Sequence, residues 1–148
     1  MRRLAFAAAL IMWFGMIFST IGFAAPKTSQ DVPPLSKTLK NARYVYVTSY
    51  DGDEFNPNLL PEDRDAITSV QDAIQKWKKL ILVYEPGQAD IILRVQGRPS
   101  EDVLAVYDAH QDSGQFLWRV MGRSGLQKGE MPLLTEFEQA FEKTQDRR

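Results

Sequence analysis

The stretch VLAVYDAHQDSGQFLWRVM, residues 103 to 121, decides how the rest of the chain is read. Its two ends, VLAVYDA and QFLWRVM, are rich in β-branched and aromatic residues, and the HQDSG between them is made of turn formers with a glycine able to take a positive φ. That predicts two antiparallel strands joined at a tip. The same tip holds the only histidine, His110, between Asp108 and Asp112. A catalytic or metal triad is the competing interpretation. Metal binding needs three or four convergent ligands with support behind them, and the chain offers one histidine and no cysteine. A hairpin tip is the expectation.

Working outward, IILRVQG (91–97) precedes the hairpin as a strand and LILVYE (80–85) as a shorter one, with EPGQAD as the turn between them. RYVYVTSY (43–50) is the first strand, and DGDEFNPNLLPED after it reads as a loop. From about Pro61, Ala66, Ile67, Val70, Ala73, Ile74 and Trp77 fall at helical spacing. Glu62, Asp63 and Asp65 stand early and Lys76, Lys78 and Lys79 late, as the helix dipole favours. Leu133, Phe137, Ala140 and Phe141 mark a second amphipathic helix, entered through Met131 and Pro132. The predicted order is β-α-β-β-β-β-α: an α+β domain in which two helices pack on a mixed sheet of about five strands.

The chain has 148 residues, 44% hydrophobic and 25% charged, which fits one ordinary domain. With 18 Lys+Arg against 19 Asp+Glu there is no basic field for a phosphate backbone, so nucleic acid is not an expected partner. The absence of cysteine removes disulfides, thiolate metal sites and cysteine nucleophiles.

The N-terminus, MRRLAFAAALIMWFGMIFSTIGFAAPK, has two arginines and then an apolar run from Leu4 to about Ala25. It is expected to be an export signal, with Gly22 and Ala24 supplying the small residues for cutting before Ala25. Kept uncleaved, residues 4–25 are long enough to anchor the chain in the inner membrane, with Arg2 and Arg3 inside. Either way the remainder is expected outside the cytoplasm, periplasmic or secreted. Removing Arg2 and Arg3 leaves 16 basic residues against 19 acidic. Residues 25–40, rich in Pro, Ser, Thr and Lys, are expected to be a flexible linker, residues 41–143 the folded domain, and 144–148 a tail.

Several constellations invite a chemical interpretation. Asp51, Asp53 and Glu62 stand at positions 1, 3 and 12 of a calcium loop, but Phe55 and Asn56 occupy the places that need an oxygen ligand and a glycine. No G-x-S-x-G occurs, and Ser100, Ser113 and Ser124 lie in turn-like contexts. Glu101 and Asp102 are adjacent and would face apart. No catalytic residue, cofactor or metal is therefore expected. Tyr44, Tyr46, Tyr84, Tyr107, Trp77, Phe116 and Trp118 suit either glycan stacking or core and cross-strand packing, and the expectation is mainly core.

Strand and turn words in this chain resemble the TolB amino-terminal domain and the CsgG-like group of curli secretion. Ala89, Asp90, Ile91 and Leu93 match an "AD-x-x-L/V" strand, and Val106, Asp108, Gly114 and Leu117 a "V-x-D-x-x-x-G-x-x-L" hairpin. The resemblance runs over residues 43–143. It implies a domain that assembles with other envelope proteins and carries no catalytic residues; the lipidated cysteine and membrane hairpins of the curli channel have no counterpart here.

The expected function is a non-enzymatic cell-envelope domain that binds a protein partner, its identity open. The alternatives are a small-ligand or glycan-binding periplasmic protein and, less favoured, an unrecognised hydrolase. Contact with the membrane is expected only through an uncleaved N-terminal segment. The partner surface is placed at Phe55, Leu59 and Leu60, an apolar centre in the acidic 51–62 loop, and at Tyr107 and Trp118 of the hairpin. A plainer role for the loop is that Leu59 or Leu60 staples the helix start and Phe55 closes the core edge.

Overall fold

The computed structural model describes residues 37–110 and 114–146. The apolar N-terminal segment with its expected cleavage point lies outside these residues, as does Asp112 at the hairpin tip. Among the described residues no helix is long and apolar enough to cross a membrane.

The elements in chain order are α1 (Lys37–Asn41), β1 (Tyr44–Ser49), α2 (Pro61–Trp77), β2 (Ile81–Leu82), a short 3-10 turn (Pro86–Gln88), β3 (Ile91–Gln96), β4 (Asp102–Asp108), β5 (Phe116–Gly122) and α3 (Pro132–Asp146). Together they form the expected α+β architecture, with one five-stranded mixed sheet in the order β2-β1-β3-β4-β5. β1 runs parallel to both β2 and β3, while β4 runs antiparallel to its neighbours β3 and β5. The parallel β1–β2 pair requires a crossover, and α2 supplies it.

α2 begins where Pro61 sets the first helical turn and Glu62 and Asp63 meet the amino end of the helix. It stops at Trp77, the last apolar residue of the expected stripe, because Lys78 takes a left-handed φ of 61° and its N–H closes on the Ile74 carbonyl. Ala66, Ile67, Val70 and Ile74 form its buried stripe. β2 is limited to two residues; beyond it the chain turns, with the Tyr84 hydroxyl accepting a hydrogen bond from Gln75 of α2 at 3.3 Å.

The core lies between one face of the sheet and the helices. Val45, Val47, Ile91, Leu93, Val95, Leu104, Val106, Trp118 and Val120 meet Ile67, Val70, Ile74, Leu133, Leu134, Phe137 and Phe141. Trp77 meets Phe141 edge-on at 5.4 Å, and Trp118 lies 6.0 Å from Phe137. A fully buried large side chain such as Trp118 or Phe137 contributes about 1.5–3 kcal/mol of apolar burial.

Two expected boundaries shift. The linker read to Lys40 ends in α1, where Leu39 is fully buried in the core and the Lys40 carbonyl accepts a hydrogen bond from Gln145 at 2.9 Å. That contact also draws residues 144–146, read as tail, into α3. One apolar residue among polar neighbours carries no periodicity, which is why the sequence pattern does not reveal α1.

Candidate functional site

The strand residues that pack against the helices point to one face of the sheet, so the opposite face is built from the alternate residues, of which Val103 and Ala105 are themselves buried. Hydrogen-bond register arranges them in rows. One runs Tyr46–Ile92–Tyr107–Phe116 and the next Thr48–Arg94–Ala105–Arg119. Tyr44 stands beside Ile81 at the β2 edge, and both are exposed.

Phe116 reaches this face through a bulge. Strict alternation from Arg119 would turn Phe116 toward the helices, but the β4–β5 register shifts between Val106 and Tyr107, so Phe116 opposes Tyr107 and Leu117 joins the core. The rings of Tyr107 and Phe116 meet edge to face at 5.7 Å. The guanidinium of Arg94 lies 4.6 Å above the centre of the Tyr107 ring, a cation–π contact. Tyr50, just past the end of β1, brings its hydroxyl to within 3.4 Å of the Tyr107 hydroxyl. Burial, followed by that hydrogen bond, pushes the Tyr50 phenol up to about 12, against the opposing pull of Arg119 and Arg94. Among the described residues neither Arg94 nor Arg119 forms an ion pair with a carboxylate, and Arg119 Nη2 leans on the Met121 sulfur. Tyr, Phe, Met and Arg are the residues that interface centres favour.

A second polar assembly sits at the far end of β3. Asp63 is fully buried, and both its oxygens accept from Arg98 Nη1, at 2.7 and 2.8 Å. The Gly97 N–H donates to Asp63 Oδ1 at 2.9 Å. That approach is open only to glycine, since a Cβ there would stand 2.7 Å from the Glu62 carbonyl oxygen. Arg98 Nη2 reaches Asp51 at 2.9 Å, and Asp102 accepts from the Arg98 and Leu126 backbone N–H groups. Asp63 is the first cause holding the Arg98 guanidinium above its ordinary value. These bonds bind loop, helix start and strand ends together. Beside them runs a cleft of about 440 Å³ lined in part by Glu62, Asp65, Asp72, Arg98 and Lys128.

The expected site residues separate. Phe55 is 78% exposed and Leu60 is exposed, whereas Leu59 is buried. Phe55 is therefore no lid on the core, and Leu59 is no part of a partner surface; it is the residue that fixes the entry to α2. Trp118 is also corrected. It pairs with Val106 on the helix-facing side and has no exposed surface, so only Tyr107 of the two hairpin residues is on the open face.

The hairpin itself forms as expected, with the Asp108 N–H donating to the Gln115 carbonyl and Gly114 at φ 61°. His110 is exposed at its tip and faces Asp108 and Asp90, at 3.3 and 3.6 Å. Those carboxylates already accept backbone N–H groups: Asp108 that of His110, Asp90 those of Arg43 and Tyr44. They serve as turn and strand-end caps. In the 51–62 loop Asp51 takes Arg98, and Asp53 accepts the Phe55 N–H at 3.0 Å. Among the described residues no group of three or more His, Asp and Glu is placed to hold a metal.

Arg94, Arg119 and Tyr50 are absent from the sequence expectation. The signal for Arg94 is present in IILRVQG, whose alternation puts it with Ile92 and Gln96; the Arg119 signal needs the bulge, and Tyr50 needs the tertiary fold.

The described residues thus form an α+β domain with one helix-covered face and, among those residues, one open, aromatic- and arginine-bearing face. No family model, curated protein or solved structure matches the chain.

Proposed function

We propose that the chain is an exported, non-enzymatic cell-envelope domain that binds a protein partner through the open face of its sheet. One observation carries this: Tyr44, Tyr50, Ile81 and Phe116 are exposed together on a face where two arginines have no carboxylate partner among the described residues. Large apolar side chains gathered on one face, interleaved with arginine, are costly in water unless something covers them. The export assignment rests on Arg2, Arg3 and the apolar run that follows, and the likeness to the TolB amino-terminal domain points to the same compartment.

The test is site-specific photo-crosslinking in intact cells, with the photoreactive residue at Phe116 or Thr48 and, as control, at Lys76 on the exposed side of α2. A discrete adduct from the first two positions and none from Lys76 is expected. Equal labelling at all three, or none at the open face, would refute it. A small polar ligand held in the cleft beside Arg98 is a second reading, favoured by the cleft's volume. A compound that co-purifies with the chain, seen by mass spectrometry after denaturation and lost on Arg98→Met, would favour it.

A further inference from the structure

The most exposed of the large apolar side chains, Phe55, sits on a turn that is fixed before anything binds it. Its own N–H is held by Asp53 Oδ1 at 3.0 Å, and the Asn56 N–H by the Asp53 carbonyl at 3.1 Å. The Asn56 side chain bonds the Asp51 carbonyl at 2.8 Å, and Arg64 bonds the Asn56 carbonyl at 3.0 Å. A rigid turn that presents a phenylalanine loses little conformational entropy on docking. Beside Phe55 stand two carboxylates, Asp53 and Glu54.

The open face offers the complement. Arg94 and Arg119 flank Ala105, which is small and itself buried, in one row, about 10 Å apart by strand spacing, and Tyr107 with Phe116 lies in the next row. Neither guanidinium has a carboxylate partner among the described residues. In its own chain Phe55 is 78% exposed, so it is not packed against that face itself. The turn is nevertheless close to the face's β1 side: the carbonyl of Gly52, next to Asp53, accepts a hydrogen bond from the Thr48 hydroxyl of that face at 2.9 Å, and Asp53, with Glu54, helps burial to raise the Tyr46 phenol. Donor turn and receptor face on one side of the molecule allow two copies to exchange both contacts about a single two-fold axis.

We propose that the partner of the open face is a second copy of this chain, the Asp53–Glu54–Phe55 turn of each copy seated on the Arg94–Ala105–Arg119 row of the other. Phe55 packs against Tyr107 and Phe116, and the carboxylates face the two guanidiniums. This rests on the open face being a protein-binding surface, and it names the protein.

Sedimentation equilibrium of the full-length chain in a non-ionic detergent tests it. A dimer is expected, weakened by salt and weakened about tenfold or more by each of Phe55→Ser, Glu54→Arg and Arg119→Glu. Combining Glu54→Arg with Arg119→Glu restores association, because the reversed charges meet across the two-fold axis. All of these side chains are exposed or half-exposed, and circular dichroism checks that each variant is folded. A monomer at every concentration, a dimer indifferent to these changes, or a double variant no better than the singles overturns the proposal. A monomeric chain that still crosslinks a different protein through Phe116 defeats the self-association and leaves the open-face function standing; a monomer with no adduct defeats both.

Discussion

Arg98 Nη1 lies 2.7 and 2.8 Å from the two oxygens of Asp63, a carboxylate with no exposed surface. The pair ties the start of α2 to the end of β3 and, through Arg98 Nη2, to the loop carrying Phe55. Arg98→Ala leaves a buried charge whose one remaining hydrogen bond among the described residues is from the Gly97 N–H, and is expected to cost about 3 kcal/mol or more. Asp63→Leu with Arg98→Met, which removes both charges, should recover much of that loss. Urea unfolding of the three proteins checks it; equal losses for the single and double variants would show that packing, not charge, sets the effect.

Leu59 and Phe55 are four residues apart and are expected to behave oppositely. Leu59→Ala empties a buried position and should lower stability by about 2 kcal/mol or more. Phe55→Ser removes a side chain already in water within its own chain and should change the stability of the monomer by less than about 0.5 kcal/mol. Thermal melts of both variants decide it, and a large drop for Phe55→Ser would show that the turn packs on the core.

Tyr50 should titrate late. Its folded phenol is raised to about 12, first by burial and then by the Tyr107 hydrogen bond, whereas an unfolded tyrosine ionises near about 10. The neutral form is thus favoured by folding, so its contribution is fully present below about 10 and is lost as pH climbs through about 12. An ultraviolet titration of tyrosinate should show a late step that disappears in Tyr50→Phe. A single step for all five tyrosines, near the ordinary value, would contradict the arrangement.

At the hairpin tip, backbone freedom matters more than the imidazole. Gly114 holds φ 61°, where a β-branched residue is strained, so Gly114→Val should cost about 1 kcal/mol or more. His110 is exposed, and its nearest carboxylates have backbone partners, so His110→Ala should change stability by less than about 0.5 kcal/mol. Large and equal losses, or melting that depends on added metal, would restore the triad interpretation.

The sequence by itself determined the elements that bury one regular stripe. Ala66, Ile67, Val70 and Ile74 announce α2, Leu133, Phe137 and Phe141 announce α3, and alternation around a glycine-bearing turn announces the β4–β5 hairpin, because side-chain period follows directly from backbone geometry. Other features required the tertiary structure. Leu39 of α1 is a single apolar residue without periodicity, and becomes core only because α3 ends beside it. Leu59 and Leu60 are identical in the chain, and only the entry angle of α2 sends one inward and the other to solvent. The bulge between Val106 and Tyr107 decides that Phe116 joins Tyr107 on the open face while Trp118 is buried against Phe137, a change of face that a period of two cannot foresee. The pairing of Asp63 with Arg98, 35 residues apart, and the meeting of Tyr50 with Tyr107, 57 apart, exist only once β1, β3 and β4 lie side by side. Local sequence sets which face a side chain takes within its own element; contacts between distant elements are set by register, and register is a property of the assembled sheet.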